Sequence, residues 1–214
     1  MNAKTILRSM FAGLLLLTPV FSAAQHNFEI TGYGGGQING GIDFSTTRFS
    51  RLEVQNGANY GVMAGYLLGE HYGAEFQWNQ NKANAVGQTN TGAPSLKLFN
   101  LTQNQYMGNF LIHLKPREAK LRPFFFFGLG ANSLTTDVHL VQGATKFSWA
   151  LGGGAKYNIG EHFGLRTQIR YAPTYITSTN TGYWCDPIWG GCWTSTDNHY
   201  LNAVDFTGGI TIRF

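Results

Sequence analysis

The chain has 214 residues, 28 of them Gly, with 43% hydrophobic and only 12% charged residues. Against average usage of about 7% Gly and about 25% charge, glycine is nearly doubled and charge is halved, while 16 Phe, 10 Tyr and 5 Trp exclude a disordered acidic chain. The formal net charge of +4 comes without a Lys/Arg stripe able to neutralise phosphates, which excludes nucleic acid as a partner.

The N-terminus reads as an export signal. Lys4 and Arg8 flank the start of an apolar run from Met10 to Leu17, followed by Pro19 and Ser22-Ala23-Ala24. A positive start, a short apolar core and small residues before the cut describe a cleavable signal peptide over residues 1–24. The apolar run is shorter than the roughly 20 residues a spanning helix needs. Absence of a cysteine at the cut argues against a lipoprotein anchor. The mature domain is expected over residues 25–214, exported and without a membrane helix.

From Phe28 onward, apolar residues recur at every second position, the strand period. In chain order the apolar faces are Phe28, Ile30, Gly32 and Gly34; Tyr60, Val62, Ala64, Tyr66 and Leu68; Ala74, Phe76 and Trp78; then Tyr106, Phe110, Ile112 and Leu114. Pro123, Phe125, Phe127, Leu129 and Ala131 follow, then Phe147, Trp149, Leu151, Gly153, Ala155 and Tyr157. Phe163, Leu165, Thr167, Ile169 and Tyr171 make the seventh face, and Val204, Phe206, Gly208, Ile210, Ile212 and Phe214 the eighth. Short turns at 69–71, 115–122 and 158–162 alternate with longer polar stretches at 39–58, 81–104, 133–145 and 173–201. Short turns on one rim and long loops on the other mark a bacterial outer-membrane barrel. A closed barrel is also the β-structure that crosses lipid without an unpaired edge. The fold expected is therefore all-β: an eight-stranded antiparallel up-and-down transmembrane β-barrel, with both termini on the periplasmic, short-turn side.

A secreted sandwich or a lipocalin-like barrel would put the same apolar face inside. Three features favour the membrane form. The charged and Gly-rich face looks too hollow for a soluble surface, and Tyr60, Tyr66, Tyr106, Trp149, Tyr157, Phe163 and Tyr171 sit at segment ends, where interface girdles lie. The chain also stops on an apolar strand ending in Phe214.

The first and last segments, Phe28-Glu29-Ile30-Thr31-Gly32-Tyr33-Gly34-Gly35 and Asp205-Phe206-Thr207-Gly208-Gly209-Ile210-Thr211-Ile212-Arg213-Phe214, resemble those of the small outer-membrane β-barrel family that includes the OmpA transmembrane domain. The resemblance covers the mature chain as a pattern, and its specific part is these two ends. It implies that Phe206, Ile210, Ile212 and Phe214 form the C-terminal signal read by the barrel-assembly machinery, with periplasmic chaperones as partners before insertion. No peptidoglycan-binding domain follows Phe214 in this sequence, so a wall-anchoring role is not carried over. The cysteine pair is not a general feature of that family.

Groups that could carry chemistry are sparse. Asp137 and His139, or Ser195, Asp197 and His199, share a strand parity. Neighbours at i, i+2 and i+4 point parallel, whereas a triad needs convergence within hydrogen-bond reach. Neither set has the spacing of a zinc site, and no phosphate-cradling glycine loop occurs. No catalytic residue, metal or cofactor is expected.

Glu29, Glu75, Lys156, Arg166, Arg170, Asp205 and Arg213 all fall on the inward parity. An eight-stranded interior is just wide enough for side chains to fill, so these charges read as a paired plug, with a selectivity cluster for a narrow pore as the alternative. The last long loop carries Trp184, Trp189 and Trp193, an aromatic excess suited to an extracellular partner or, equally, to packing of the rings on one another or in the headgroup zone. Cys185 and Cys192, with six residues between them, are expected to form a disulfide in the oxidising periplasm. Asp186-Pro187 and Gly190-Gly191 supply the turn chemistry that brings them together. The reading is a non-enzymatic outer-membrane protein acting through exported loops. A channel for small solutes and a lipid-modifying enzyme are the rivals.

Overall fold

The computed structural model describes residues 27–43, 49–89, 96–137, 144–176, 184–185, 192–193 and 199–214. The expected signal peptide and Trp189 lie outside the described residues. Among the described residues, eight long strands build a closed antiparallel barrel, to whose sheet four shorter strands add at the long-loop end. The eight are β1 (Phe28–Asn39), β2 (Gly57–Leu67), β3 (Tyr72–Thr89), β4 (Leu96–His113), β5 (Leu121–Thr136), β6 (Ala144–Asn158), β7 (Phe163–Tyr171) and β8 (Ala203–Arg213). Each pairs with its chain neighbour, and β8 returns to β1 in a ladder from Glu29↔Arg213 to Asn39↔Ala203.

The register sets the tilt. Paired residues lead from Asn81 through Asn59, Gly35, Thr207, Gln168, Gly154, Phe124 and His113. The His113 N–H then donates to the His71 carbonyl at 2.7 Å. The circuit therefore closes ten residues from where it began, at 71 against 81. Such stagger tilts the strands and sets an interior that side chains fill.

Three short connections share one end of the barrel. In the first, Gly69 has φ 115°, a conformation available to glycine without steric cost, and the Leu68 N–H closes the turn on the Tyr72 carbonyl at 2.9 Å. The long connections share the other end. After β7, Pro173 cannot donate to the ladder. Its carbonyl instead accepts from Ser148 Oγ at 2.9 Å, and a short strand, Thr174–Ile176, then pairs with His199–Leu201.

The outward parity is apolar around the sheet. Phe76, Phe125, Phe127, Leu151, Phe163, Ile169, Phe206 and Ile210 are all exposed, as lipid-facing residues are. Tyr60, Trp78, Tyr106, Trp149 and Tyr171 ring the long-loop side of this band; Phe28, Tyr66, Tyr72, Tyr157, Phe163 and Phe214 ring the short-turn side. Polar handles point away from the band, as interface aromatics require. The Tyr60 hydroxyl donates to Gln80 Oε1, and the Tyr171 hydroxyl to Asn202 Oδ1 at 2.8 Å.

Two expectations are corrected. The stretch 81–104 is not all loop: β3 and β4 are 18 residues each, well past the about 9–11 a tilted strand needs to cross lipid. Along this extension the two faces exchange character. Outward positions become Gln80, Lys82, Asn84, Thr102 and Asn104. Inward Ala83, Ala85, Phe99 and Leu101 pack with Val54, Leu134 and Leu201 in an apolar cluster. The barrel thus continues beyond its lipid band with a soluble protein's polarity.

The glycine face is also not hollow. A Cβ on Gly61 would lie 2.6 Å from the Tyr33 hydroxyl oxygen, and one on Gly152 would lie 2.6 Å from Phe126 Cζ. Glycine here makes room for large inward rings.

Candidate functional site: the barrel interior and the long-loop rim

Inward parity brings the sequence's charged residues into one enclosed column. Near the short-turn end Lys156 Nζ donates to Glu29 Oε2, and Arg213 Nε stands 3.9 Å from Glu29 Oε1. One level up, Arg166 forks onto Glu75, with Nη1 on Oε2 and Nη2 on Oε1 at 3.1 Å. Further along, Arg170 Nε donates to Asp205 Oδ2 at 2.6 Å, and both side chains are only 1% exposed. The bidentate fork is the strong form of this contact. Phe124 fills the space between pairs, with the Arg166 guanidinium carbon 4.7 Å and Lys156 Nζ 5.9 Å from its ring centroid.

Above and around the pairs runs a belt of amides. Asn59 Nδ2 donates to Asp205 Oδ1 at 3.0 Å, Asn109 Nδ2 to Gln77 Oε1 at 3.0 Å, and Gln105 Nε2 to Ser148 Oγ at 2.8 Å. The Tyr33 hydroxyl accepts from Gln77 Nε2 at 2.8 Å and donates to the Trp78 carbonyl at 3.1 Å. The apolar cluster of Val54, Ala83, Ala85, Phe99, Leu101, Leu134 and Leu201 caps the belt at the long-loop end. The ion pairs and amides run along the interior beside a second apolar cluster of Met107, Leu111, Phe124, Phe126, Ala150 and Ala172, and the first cluster lies at the long-loop end.

Reading by parity missed some members of this column. Arg122 is 2% exposed; its Nε donates to the Lys115 carbonyl at 3.2 Å and its Nη2 to that of Glu70. It was detectable, because it shares the inward parity of Phe124 and Phe126, opposite Pro123 and Phe125. His113 and the amides Gln37, Gln103 and Asn132 are likewise inward.

The four C-terminal apolar residues face outward: Phe206 is 50%, Ile210 60%, Ile212 38% and Phe214 48% exposed. Phe214 also closes the seam. Its N–H donates to the Phe28 carbonyl at 2.9 Å and its ring lies 6.3 Å from that of Phe28.

At the rim, Asp137 accepts from the Asn100 backbone N–H at 3.0 Å and from Asn100 Nδ2 at 2.5 Å. The backbone N–H of Asn100 holds this carboxyl below the usual carboxylate range. That contact ties β4 to the third long loop and occupies Asp137 in a structural role. Among the described residues no group of three metal-ligating side chains converges. In the fourth long loop, Trp184–Cys185 and Cys192–Trp193 form a two-residue antiparallel ladder with Trp184 opposite Trp193 and Cys185 opposite Cys192. Nearer the barrel, Tyr175 is opposite Tyr200, their ring centroids 5.3 Å apart.

The sequence matches the family described as outer membrane protein beta-barrel domain over residues 13–214. No curated protein matches the sequence. Among solved structures, Neisserial surface protein A aligns at TM-score 0.55 and 12% identity, covering 87% of this chain and 97% of that one. The outer membrane protein AlkL, studied in DMPC bilayers, aligns at TM-score 0.54 and 11% identity, covering 89% and 91%. Ail, the attachment invasion locus protein of Yersinia pestis, aligns at 0.49 and 12% identity, covering 89% and 99%. At these identities the likeness is one of fold.

Proposed function

Because the chain belongs to the outer membrane protein beta-barrel domain family, we propose that this bacterial outer-membrane protein is a non-enzymatic surface-interaction protein. Its barrel is a scaffold, and its long loops do the specific work. The observation that carries the reading is the filled interior. Paired charges, inward amides and an apolar cluster lie along the axis, so solute passage would require displacing all three. Selectivity and transport are thereby disfavoured, and recognition falls to the rim.

The short-turn end faces the periplasm and the long loops face outward, the arrangement usual for such barrels. During biogenesis Phe206, Ile210, Ile212 and Phe214 are read by the assembly machinery after periplasmic chaperones deliver the chain. Once inserted, the barrel has outer-membrane lipid around its apolar band. The fourth loop is the principal contact surface. A disulfide between Cys185 and Cys192 would staple its ladder, since directly opposed residues have Cα atoms about 4.5–5.5 Å apart, within disulfide range. Trp184 and Trp193, the next register pair, would then be presented together, with Trp189 in the connecting segment.

The test is adhesion of cells expressing the wild-type protein, or a variant lacking residues 177–198, to a panel of host-cell and glycan surfaces. Wild-type cells should adhere to at least one surface and the variant should not, with both barrels at equal membrane abundance. Equal adhesion by both would contradict the assignment.

A further inference from the structure

We propose that the extracellular rim carries a seat for a neutral saccharide at the base of the first long loop. This rests on the surface-interaction reading and names the chemistry it would serve. The seat is a recess of about 570 Å³ walled by Ile38, Asn39, Gly40, Glu53, Gln55 and Asn56 among others, within the size range of small-ligand sites.

Its amides are fixed in place by one another. Gln37 Nε2 donates to Asn39 Oδ1 at 2.7 Å, Asn39 Nδ2 to the Gln55 carbonyl at 3.1 Å, and the Asn39 N–H to Asn56 Oδ1 at 3.1 Å. Asn84 Nδ2 donates to Gln55 Oε1 at 3.0 Å. Amides carry both donors and acceptors, as hydroxyl groups do, and a preorganised amide wall loses little freedom on binding. Gln55 and Asn56 each retain an amide NH₂ group beyond these bonds.

A backbone hydrogen bond links the recess to the strand that carries an aromatic pair. The Gly40 N–H donates to the Asn202 carbonyl at 2.7 Å, two residues from Tyr200, whose ring pairs with that of Tyr175. Ile38 and Tyr200 are about half exposed, at 51% and 49%. Flat aromatic faces beside amides suit the apolar faces and hydroxyl edges of sugar rings.

Charge disfavours an anionic sugar, since the charged residue lining the recess is Glu53. None of the residues lining the recess is Lys or Arg, and the chain carries neither between residues 171 and 212. The first long loop has Arg48 and Arg51, matched by Asp43 and Glu53, with Arg51 opposite Asp43 in register. A sulfated or phosphorylated glycan would therefore enter without a net cationic field to attract it.

The test uses the folded full-length mature chain in phospholipid nanodiscs free of lipopolysaccharide. Maltotetraose, chitotetraose and a Kdo-free hexose–heptose fragment of dephosphorylated lipopolysaccharide core oligosaccharide are the neutral probes, and a heparin octasaccharide is the sulfated one. Titration calorimetry and saturation-transfer NMR should show saturable binding of at least one neutral probe. Preference for the core oligosaccharide would identify the membrane's own sugars as occupant; preference for a tetrasaccharide would identify an external glycan. Q55A/N56A should weaken binding about tenfold, as loss of a hydrogen bond or two implies, and Y200A should weaken it too, with unchanged gel mobility before and after boiling. Failure of every neutral probe, or binding of heparin alone, would overturn the seat. If loop-four deletion still abolished adhesion in that case, the surface role would stand without it.

Discussion

Glu75 and Arg166 sit in the barrel with side-chain exposures of 3% and 2%, too little for water to stabilise either charge alone. Removing one partner of such a pair costs about 3–5 kcal/mol, because the other is left uncompensated, whereas replacing both with packed neutral groups is often tolerated. E75Q or R166M alone should therefore lower the urea midpoint of unfolding more than E75Q/R166M together, read from the mobility difference between folded and unfolded barrel. Single variants that conduct ions while leaving the midpoint untouched would favour a pore lining. At this scale, parity made it legible which charged residues face inward. It could not say which meets which: Glu29 and Lys156 are 127 positions apart, and their contact depends on register around the whole sheet. Arg122 escaped because segment five was read from its outward Pro123, Phe125 and Phe127. Asp137 offers a local check. Its carboxyl is held below the ordinary value of 3.8, so its grip on Asn100 is present above that value and is lost as pH falls through the lower, folded one. The Asn100 amide proton should titrate in NMR with a midpoint below 3.8; a midpoint at or above it would mean that the carboxylate is not held.

The strands that cross the lipid band were legible because one face had to be apolar throughout. The extensions of β3 and β4 were not. From Gln80 onward the apolar residues move to the other parity, so a search for one continuous lipid-facing stripe ends where the strand does not. A pattern with exchanged faces is what a sheet needs when it leaves lipid for water while still closing on itself. The last strand carries its own prediction. Phe214 is exposed at the short-turn end beside Phe28, and deleting it or introducing F214D should reduce outer-membrane abundance and leave periplasmic protein for proteases. Unchanged abundance of both variants, by immunoblot of separated membranes, would remove its assembly role. In the fourth loop, the opposed Cys185 and Cys192 should be oxidised in cells. A ring this short constrains the unfolded loop by about 2–3 kcal/mol, acting on the loop and not on the strand ladder of the barrel. Thiol labelling of denatured, unreduced protein should find no free thiol, and two per chain would rule the bridge out.

As a whole, the molecule divides its labour by level. The lipid band and its two aromatic rings hold it in the outer membrane. Ionic and amide residues line the transmembrane interior, the apolar cluster lies inside the projecting end, and the long loops share that end. Mature barrels of this kind should run at different mobilities before and after boiling in mild SDS, since the closed ladder must be broken to unfold. The proposed surface role depends on a barrel that does not conduct, and conductance tests it most directly. Purified protein inserted into planar bilayers at neutral pH should show no sustained single-channel steps above the bilayer baseline. Reproducible, long-lived openings of the wild-type protein would contradict the filled barrel and return the function to solute passage.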